Sequence, residues 1–194
     1  MAVAGAEQSD EFASGLGADI RALRKARHFT LQELALRLGR SVGWLSQVER
    51  GLSEPAIGDL RELGKAFDVP IGFFFQNDDA PAEERGYIVR GHSRRQLGND
   101  TEGLREELLS PDLGGSFEVF RSVFEPGAEL KQATLRETEE AGYLLSGELE
   151  LWIGARHFKL HPGDSFRFEN EPIRWRNAGA NPAIVIWVIS PPVY

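Results

Sequence analysis

Few side chains in this sequence have the chemistry to catalyse a reaction or to bind a metal. The 194 residues include no cysteine, which excludes disulfides, thiolate metal ligands and thiol nucleophiles. There are four histidines, His28, His92, His157 and His161. The last two lie four residues apart where the pattern predicts a strand and a turn, so alternation places them on one face. We interpret them as a surface pair rather than a metal site.

One short segment carries side chains that can recognise the edges of base pairs. It is VGWLSQVER, residues 42–50, which has Leu45 and Val48 on its inner face if it is a helix. The outward positions are then Val42, Gly43, Trp44, Ser46, Gln47 and Arg50. The Gln47 amide can pair bidentately with adenine, Val42 can contact a thymine methyl group, and Gly43 permits close approach. Trp44 can pack either on a sugar-phosphate backbone or on a neighbouring helix, and both alternatives stay open.

The segment that must position this helix, residues 16–75, has the helical period. Its apolar residues recur every three or four positions, at Leu16, Ile20, Leu23, Leu31, Leu34, Ala35, Leu38, Leu45, Val48, Leu60, Leu63 and Phe67.

Helix boundaries are also visible in this segment. Thr30 to Glu33 form a capping box, Gly39 can end one helix, and Ser41 can cap the next. Gly51, Pro55 and Pro70 mark the later boundaries. The pattern predicts five helices, of which two are joined by a tight turn at residues 38–41. This spacing is typical of a helix-turn-helix, whose second helix enters the major groove.

The chain changes character after residue 75. Residues 76–86 (QNDDAPAEERG) are polar and acidic, as linkers are. Residues 87–194 then alternate apolar and polar side chains in short segments, at 117–124, 148–153, 165–168 and 183–189, with turn residues between them. We predict a disordered lead-in over residues 1–15, an all-α domain over 16–75, a linker over 76–86, and an all-β sandwich or barrel over 87–194.

The charge is distributed unevenly between these parts. The formal net charge is −8, yet residues 16–75 hold nine Lys and Arg against seven Asp and Glu. The only basic balance therefore lies in the helical segment, which suits an acidic partner such as DNA. The sequence has no signal peptide and no membrane span, so we expect a cytoplasmic protein.

The run TLQELALRLGRSVGWLSQVERG, followed by SEP, resembles the lambda-repressor-like (Xre-type) helix-turn-helix family over Ile20 to Phe75. The resemblance implies base contacts from Val42, Gly43 and Gln47 and phosphate contacts near Arg40, Ser41 and Arg50. It also implies a structural ion pair between Arg24 and Glu49. A helical bundle that binds a protein instead of DNA is the alternative.

Residues 126–192 resemble the cupin family through PGAEL, ETEEAGYLLSGELEL, LHPGDSFRF and PIRWRN. The resemblance implies a small antiparallel barrel with a pocket at its mouth. The two halves together resemble bacterial helix-turn-helix/cupin regulators, some of which respond to polyamines, amino acids or other small metabolites. The expected fold class is a two-domain α+β protein with a five-helix domain followed by a cupin-like barrel.

Cupin enzymes hold a metal with two or three His and one Glu, so the corresponding positions are informative. Gly127, Glu140 and Gly147 fit the first motif. Its two His positions hold either Ala133 and Leu135 or Thr134 and Arg136, and the His position of the second motif holds Ile173 or Arg174. Because only Glu140 remains, we expect no metal, no other cofactor and no enzymatic activity.

In place of a metal site we predict an effector site for a small polar metabolite, made of Thr134, Arg136, Glu140, Ile173 and Trp175. Arg136 and Glu140 pair either with each other or with the ligand, because an unpaired buried charge is costly. The expected function is a transcription regulator, most simply a repressor, that binds an inverted-repeat operator as a homodimer. The alternatives are a metal-dependent cupin oxidoreductase and a constitutive repressor whose cupin domain only dimerises.

Overall fold

The computed structural model describes residues 3–75, 81–84, 86–97, 103–111, 113 and 115–193. The chain divides into two compact units, one formed mainly by residues up to Ile88 and the other by Val89–Ser110 and Ser116–Pro192. The first unit is helical and the second is built of strands, which agrees with a two-domain α+β fold.

The helical unit contains four α-helices among its described residues. They are α1 (Val3–Ala26), α2 (Leu31–Arg37), α3 (Val42–Glu49) and α4 (Ile57–Phe67). A fifth α-helix is not confirmed, because Ile71–Phe74 form a single 3-10 turn instead. Pro70 at the N-cap position of this turn cannot donate a backbone hydrogen bond, which separates it from α4.

The first helix is longer than the sequence indicated. Residues 1–15 were predicted to be a disordered lead-in, whereas α1 begins at Val3. Ala4, Ala6, Glu7 and Gln8 are strong helix formers, and α1 continues from them into the apolar face that begins at Leu16. The small, acidic composition suggested disorder because a short polar segment has no core of its own.

The helix caps follow the predicted pattern. The Thr30 hydroxyl accepts from the Glu33 backbone N–H (3.1 Å), and the Thr30 N–H donates to the Glu33 carboxylate (2.7 Å), which confirms the capping box. The hydrogen bonds that the Thr30 backbone N–H and the Thr30 hydroxyl donate to the Glu33 carboxylate hold the pKa of Glu33 below its ordinary value. Ser41 caps α3 by accepting from the Trp44 N–H (3.1 Å). Gly39 adopts a left-handed conformation (φ 62°) just after α2, as helix-ending glycines do.

One apolar core joins the four helices. Its fully buried side chains are Ile20, Leu23, Leu34, Leu45, Leu63 and Phe67. The helices α1 and α3 approach most closely at Gly17, where an added Cβ would overlap the Val48 carbonyl oxygen. The absence of a side chain at Gly17 therefore allows α3 to pack directly on α1.

Much of the predicted linker lies outside the described residues, namely 76–80 and 85. Ala82–Glu84 form a short 3-10 turn. The linker boundaries at 76 and 86 remain a prediction.

The second unit contains nine antiparallel strands among the residues that the structure describes. They are β1 (Arg95–Leu97), β2 (Leu104–Leu108), β3 (Glu118–Phe124), β4 (Glu139–Ser146), β5 (Leu149–Ile153), β6 (Arg156–Leu160), β7 (Ser165–Glu169), β8 (Ile173–Arg176) and β9 (Ala183–Ser190). One sheet has the order β1-β2-β3-β9-β4-β7 and the other the order β6-β5-β8. The four segments predicted to alternate correspond to β3, β5, β7 and β9.

The two sheets share one interior. Ala183, Val185, Trp187 and Ile189 are buried along β9 and point to it, while the residues between them point outward. Phe124 of β3 packs edge-on against Trp175 of β8 at a centroid distance of 4.8 Å. Side chains from both sheets therefore meet in a single core. No helix among the described residues is long and apolar enough to cross a membrane.

Candidate nucleic-acid interface and interior site

The exposed face of α3 presents the side chains that were predicted to contact DNA. Leu45 and Val48 are buried and fix the inner face. Val42 (43% exposed), Gly43, Gln47 and the C-cap residue Arg50 are exposed, whereas Ser46 and Trp44 are half-buried. The helix therefore has a fixed inner side and an open outer side of polar and small residues.

An ion pair holds the C-terminal end of α3 against α1. The Arg24 guanidinium donates from Nε to Glu49 Oε1 (2.5 Å) and from Nη2 to Oε2 (2.9 Å), and its Nη1 donates to the Phe29 carbonyl oxygen (2.8 Å). The hydrogen bonds from Arg24 to Glu49 raise the pKa of Arg24. This confirms the predicted structural pair, whose side chains are almost fully buried.

The turn before α3 is tied to α4. Arg40 donates from Nε to Asp59 Oδ1 (2.8 Å), and its guanidinium carbon lies 5.2 Å from the centre of the Trp44 ring. Trp44 thus packs within the domain, on the side of the turn. At the far end of α3, Arg50 Nε donates to the Ser46 carbonyl oxygen (3.1 Å), which folds this side chain along the helix.

In the strand unit, Glu140 is the most buried of the predicted effector residues, with 1% of its surface exposed. Its Oε1 accepts from the Thr138 hydroxyl (2.9 Å) and its Oε2 accepts from the Trp187 indole Nε1 (2.8 Å). Arg136 Nη1 lies 3.8 Å from Glu140 Oε1, which is an ion-pair distance longer than a hydrogen bond. The structure therefore brings Arg136 and Glu140 together, and 41% of the Arg136 side chain remains exposed.

A second interior carboxylate, Glu106 on β2, was missed by the sequence analysis. Its Oε1 accepts from the hydroxyl of Ser122 on β3 (2.8 Å). Burial raises the pKa of Glu106 and nearby Glu140 raises it further, while Ser122 and Arg136 lower it less. Ser122, which follows Arg121 in β3, is fully buried, and its burial is seen only in the structure.

Aromatic packing holds the Trp187 indole in its hydrogen bond to Glu140. The Phe166 ring meets Trp187 edge-on at 4.8 Å and lies directly over Gly142, where any Cβ would overlap it. Phe124 lies on Trp187 as well, at 6.3 Å. Glu140 is thus held by a rigid aromatic cluster, and Gly142 leaves the space that this cluster needs.

The other predicted effector residues have mainly structural contacts. Thr134 and Ile173 pair through two backbone hydrogen bonds of 2.9 Å each, which attach the segment before β4 to β8. Ile173 and Trp175 are buried, and Trp175 packs on Phe124. These three residues belong to the core and the wall of the strand unit, whereas Arg136 and Glu140 supply the charges.

The residues at the cupin metal positions do not fit a metal. Arg136 places a cation beside Glu140, and Ile173 and Thr134 offer no strong ligand atom. Among the residues that the structure describes, no three His, Asp or Glu side chains are arranged to hold a metal ion. His157 stacks on Trp152 (4.4 Å) and lies 3.7 Å from Glu150, while exposed His161 lies 3.8 Å from Asp164.

Both halves of the chain match known domain families. Residues 20–74 match the family model described as helix-turn-helix, and residues 120–189 match the model described as cupin domain. An uncharacterized HTH-type transcriptional regulator of Mycobacterium tuberculosis is 43% identical over 53 residues, which cover 27% of this chain and 38% of that protein. Another uncharacterized regulator of this type, from Sinorhizobium fredii, is 38% identical over 52 residues, which cover 27% of this chain and 26% of the relative.

A solved structure of a helix-turn-helix family transcriptional regulator from Vibrio cholerae superposes with a TM-score of 0.45 at 20% identity, covering 95% of this chain and 99% of that one. The segments that match the two curated relatives span only 26% and 38% of the length of those proteins. The matches to the helix-turn-helix model over residues 20–74 and to the cupin-domain model over residues 120–189 confirm the predicted combination of domains.

Proposed function

We propose that this protein is a sequence-specific DNA-binding transcription regulator. The observation that carries the proposal is the outer face of α3, where Val42, Gly43 and Gln47 are exposed on a helix that is capped by Ser41 and anchored by Glu49. A helix held in this way can enter the major groove with little loss of conformational freedom. The names of the curated relatives as HTH-type transcriptional regulators support the same function.

The proposed DNA contacts divide into two kinds. Val42, Gly43 and Gln47 contact base edges, and Ser41 and Arg50 contact phosphates at the two ends of α3, with Ser46 and Trp44 between them. Arg40 was predicted to join the phosphate contacts, but its guanidinium contacts Asp59 in the free protein. Such a regulator acts on chromosomal DNA, so we propose a cytoplasmic location.

We further propose that the protein binds DNA as a homodimer. Two recognition helices about 34 Å apart would fit successive major grooves, so the operator would be an inverted repeat. The outer side of the larger sheet supports this proposal, because Tyr143 and Leu145 of β4 are exposed there beside the half-buried Ile184, Ile186 and Val188 of β9. Antiparallel sheets with one solvated face usually place polar residues there, so this apolar face favours a partner.

The strand unit is the proposed effector domain. Arg136 offers guanidinium hydrogen bonds at a partly open position, and near it lie the buried carboxyl group of Glu140 and the half-buried carboxyl group of Glu106. A small polar metabolite can satisfy these groups, with Thr134, Ile173 and Trp175 forming the wall. It would regulate DNA binding only if it prefers either the DNA-bound or the free state.

A constitutive repressor is the second candidate, since Glu140 already accepts two hydrogen bonds from Thr138 and Trp187. Thermal unfolding with pools of metabolites separates the two candidates. If the protein is a sensor, one pool of metabolites should raise its melting temperature. This increase should be lost in the Arg136→Gln and Glu140→Gln variants. Unchanged melting with every pool would favour the constitutive repressor.

The enzyme alternative is tested by elemental analysis of the purified protein. The donor set at the cupin metal positions leads us to expect no stoichiometric Fe, Mn, Ni or Zn. One bound metal per chain would contradict this expectation and would favour a cupin oxidoreductase.

The decisive test of DNA binding is a pull-down of fragmented genomic DNA by the purified protein at near-physiological salt, followed by sequencing. Enrichment of a few inverted repeats is the expected result. A second pull-down with metabolite extract added tests whether the protein binds DNA only when its effector is present. No enrichment in either condition would mean that the helical domain serves another partner, and the proposal would be dropped.

A further inference from the structure

Arg40 occupies a central position in the turn between α2 and α3. It follows Gly39, which reverses the chain with a left-handed conformation, and it precedes the N-cap Ser41. Its Nε and Nη2 both lie 2.8 Å from Asp59 Oδ1. The Asp59 side chain is 10% exposed, so this carboxylate is largely removed from solvent although 48% of the Arg40 side chain remains accessible.

Asp59 connects this turn to the start of α4. Its other oxygen, Oδ2, accepts from the Ala56 backbone N–H (3.0 Å), which caps α4 in the absence of a polar side chain at position 56. One carboxylate thus binds the guanidinium of the turn and the first turn of α4 at the same time. Each oxygen has a partner from a different element.

The same guanidinium also contacts α3. Its central carbon lies 5.2 Å from the centre of the Trp44 ring, within the range of a cation–π contact. Trp44 is in the first turn of α3, at the end that carries Val42 and Gly43. Arg40 therefore touches the beginning of α3 and, through Asp59, the beginning of α4.

We propose that Arg40 and Asp59 form a clamp that fixes the orientation of α3 relative to α4, so that Arg40 is a positioning residue and not a phosphate contact. The proposal rests on the function proposed above, because it concerns how the DNA-reading face is held. The Nε and Nη2 donors of Arg40 face the nearly buried Asp59 carboxylate, so a phosphate that took these donors would leave the carboxylate without its cation, which is unfavourable. The second end of α3 is already fixed by Arg24 and Glu49.

The two roles of Arg40 predict opposite signs for one substitution. Asp59→Asn removes a negative charge close to the DNA and releases the guanidinium. If Arg40 contacts phosphate, Asp59→Asn should leave DNA binding unchanged or strengthen it. If the clamp orients α3, Asp59→Asn should weaken binding to the operator even though the change in charge favours DNA. The asparagine oxygen can still accept from the Ala56 N–H, so α4 keeps its cap.

The experiment measures dissociation constants of the full chain for its enriched operator and for a scrambled duplex, over a range of salt concentrations. We expect Asp59→Asn and Arg40→Lys each to weaken operator binding about tenfold. Arg40→Lys keeps the charge but loses the planar fork. The salt slope should stay as in the wild type, and binding to the scrambled duplex should be unchanged in Arg40→Lys and no weaker than in the wild type in Asp59→Asn, because the removed negative charge favours DNA. Glu62→Gln removes an equal charge from the exposed side of α4. It serves as the control variant, and its affinity for the operator should not fall.

The double variant Arg40→Lys/Asp59→Asn should be no weaker than either single variant, because both changes break the same contact. Operator binding by Asp59→Asn that equals or exceeds that of the wild type would overturn the clamp. A lower salt slope in Arg40→Ala, together with wild-type binding by Arg40→Lys, would also overturn it and would return Arg40 to the phosphate contacts.

The clamp can be tested even if the wild type binds no DNA, an outcome that would refute the proposed function alone. In the full chain, the indole Nε1–H resonance of Trp44, assigned with Trp44→Phe, reports on the environment under Arg40. It should shift in Asp59→Asn and Arg40→Lys but not in Glu62→Gln. An unshifted resonance in the first two variants would refute the clamp.

Discussion

At the residue scale, the proposed recognition of DNA depends on a few side chains whose neighbours are buried. Gln47 is exposed between Ser46 and the buried Val48, so its direction is set by the helix and not by its own packing. We expect Gln47→Ala to cost about 1–3 kcal/mol of binding free energy at the operator and to relax the preference at one base pair. Competition binding with single-base operator variants measures both effects. Unchanged affinity and base preference would mean that the recognition face is misplaced.

Arg50 should behave differently from Gln47. Its guanidinium folds along α3 onto the Ser46 carbonyl oxygen and is exposed at the helix end. A phosphate contact there carries no sequence information, so Arg50→Ala should weaken binding to the operator and to a scrambled duplex alike. It should also reduce the salt dependence of the affinity by about one phosphate contact per protomer. A loss confined to the operator would instead assign Arg50 a role in reading bases.

Glu106 gives the strand unit a dependence on pH. Because burial raises its pKa in the folded state, the folded protein keeps a proton that the unfolded chain releases above about pH 4.3. The free energy of unfolding therefore falls as the pH rises from that value through the raised pKa. Glu106→Gln keeps an oxygen for the Ser122 hydroxyl and removes the titration. The difference in melting temperature, variant minus wild type, should therefore increase as the pH rises from about 5 to about 8. A difference that does not change with pH would contradict this.

The sequence was informative where partners lie close along the chain or in a known motif. The capping box at Thr30 and Glu33 spans three residues, and the pair of Arg24 with Glu49 was implied by the family pattern. Glu106 was not found because its environment depends on pairing across strands: Glu106 lies opposite Ser122, and Ser122 lies opposite Val185. A one-residue change of register would turn Glu106 outward, and the sequence alone does not specify this register.

At the element scale, the sequence predicted several strands correctly, but it did not predict where α1 begins or which residues form the 3-10 turn. The alternating segments predicted β3, β5, β7 and β9 because each has an apolar side and turn residues at its ends. The start of α1 and the 3-10 turn at Ile71–Phe74 were not predicted. Both lie where too few apolar residues recur to define a periodicity. The prediction there rested only on composition and on one proline, which do not distinguish helix, turn and disorder.

The packing of α3 on α1 predicts opposite effects for two glycines of the same helix. Gly17→Ala would place a Cβ onto the Val48 carbonyl oxygen and force the helices apart, whereas Gly15→Ala has no neighbour within 4 Å. Gly17→Ala should therefore lower the free energy of unfolding by about 1–3 kcal/mol. Gly15→Ala should raise it by up to about 1 kcal/mol through helix propensity. Thermal unfolding of both variants is the measurement, and changes of the same sign would contradict the close contact.

At the scale of the whole molecule, the chain consists of a helical unit, for which we propose DNA binding, and a strand unit that contains the buried Glu140, and the charge distribution follows this division. Residues 16–75 have a small positive balance although the chain as a whole has a formal charge of −8. A regulator with this distribution should depend on α3 for specific contacts and bind other DNA weakly, because the acidic remainder repels phosphates. In the proposed dimer, the two linked helix-turn-helix domains would bind the operator more tightly than one domain alone.

The apolar outer face of β4 and β9 makes dimerisation testable with a matched pair of tyrosines. Tyr143 is 46% exposed in the middle of this face, and Tyr87 is 84% exposed outside it. A stable dimer usually buries about 800 Å² on each partner, and a carboxylate placed among the apolar side chains of such an area would lose its solvation. Tyr143→Glu should therefore convert the dimer to a monomer in sedimentation velocity and weaken operator binding, while Tyr87→Glu should change neither. A wild type that sediments as a monomer, or a Tyr143→Glu variant that stays dimeric, would require another surface or another way of binding the operator.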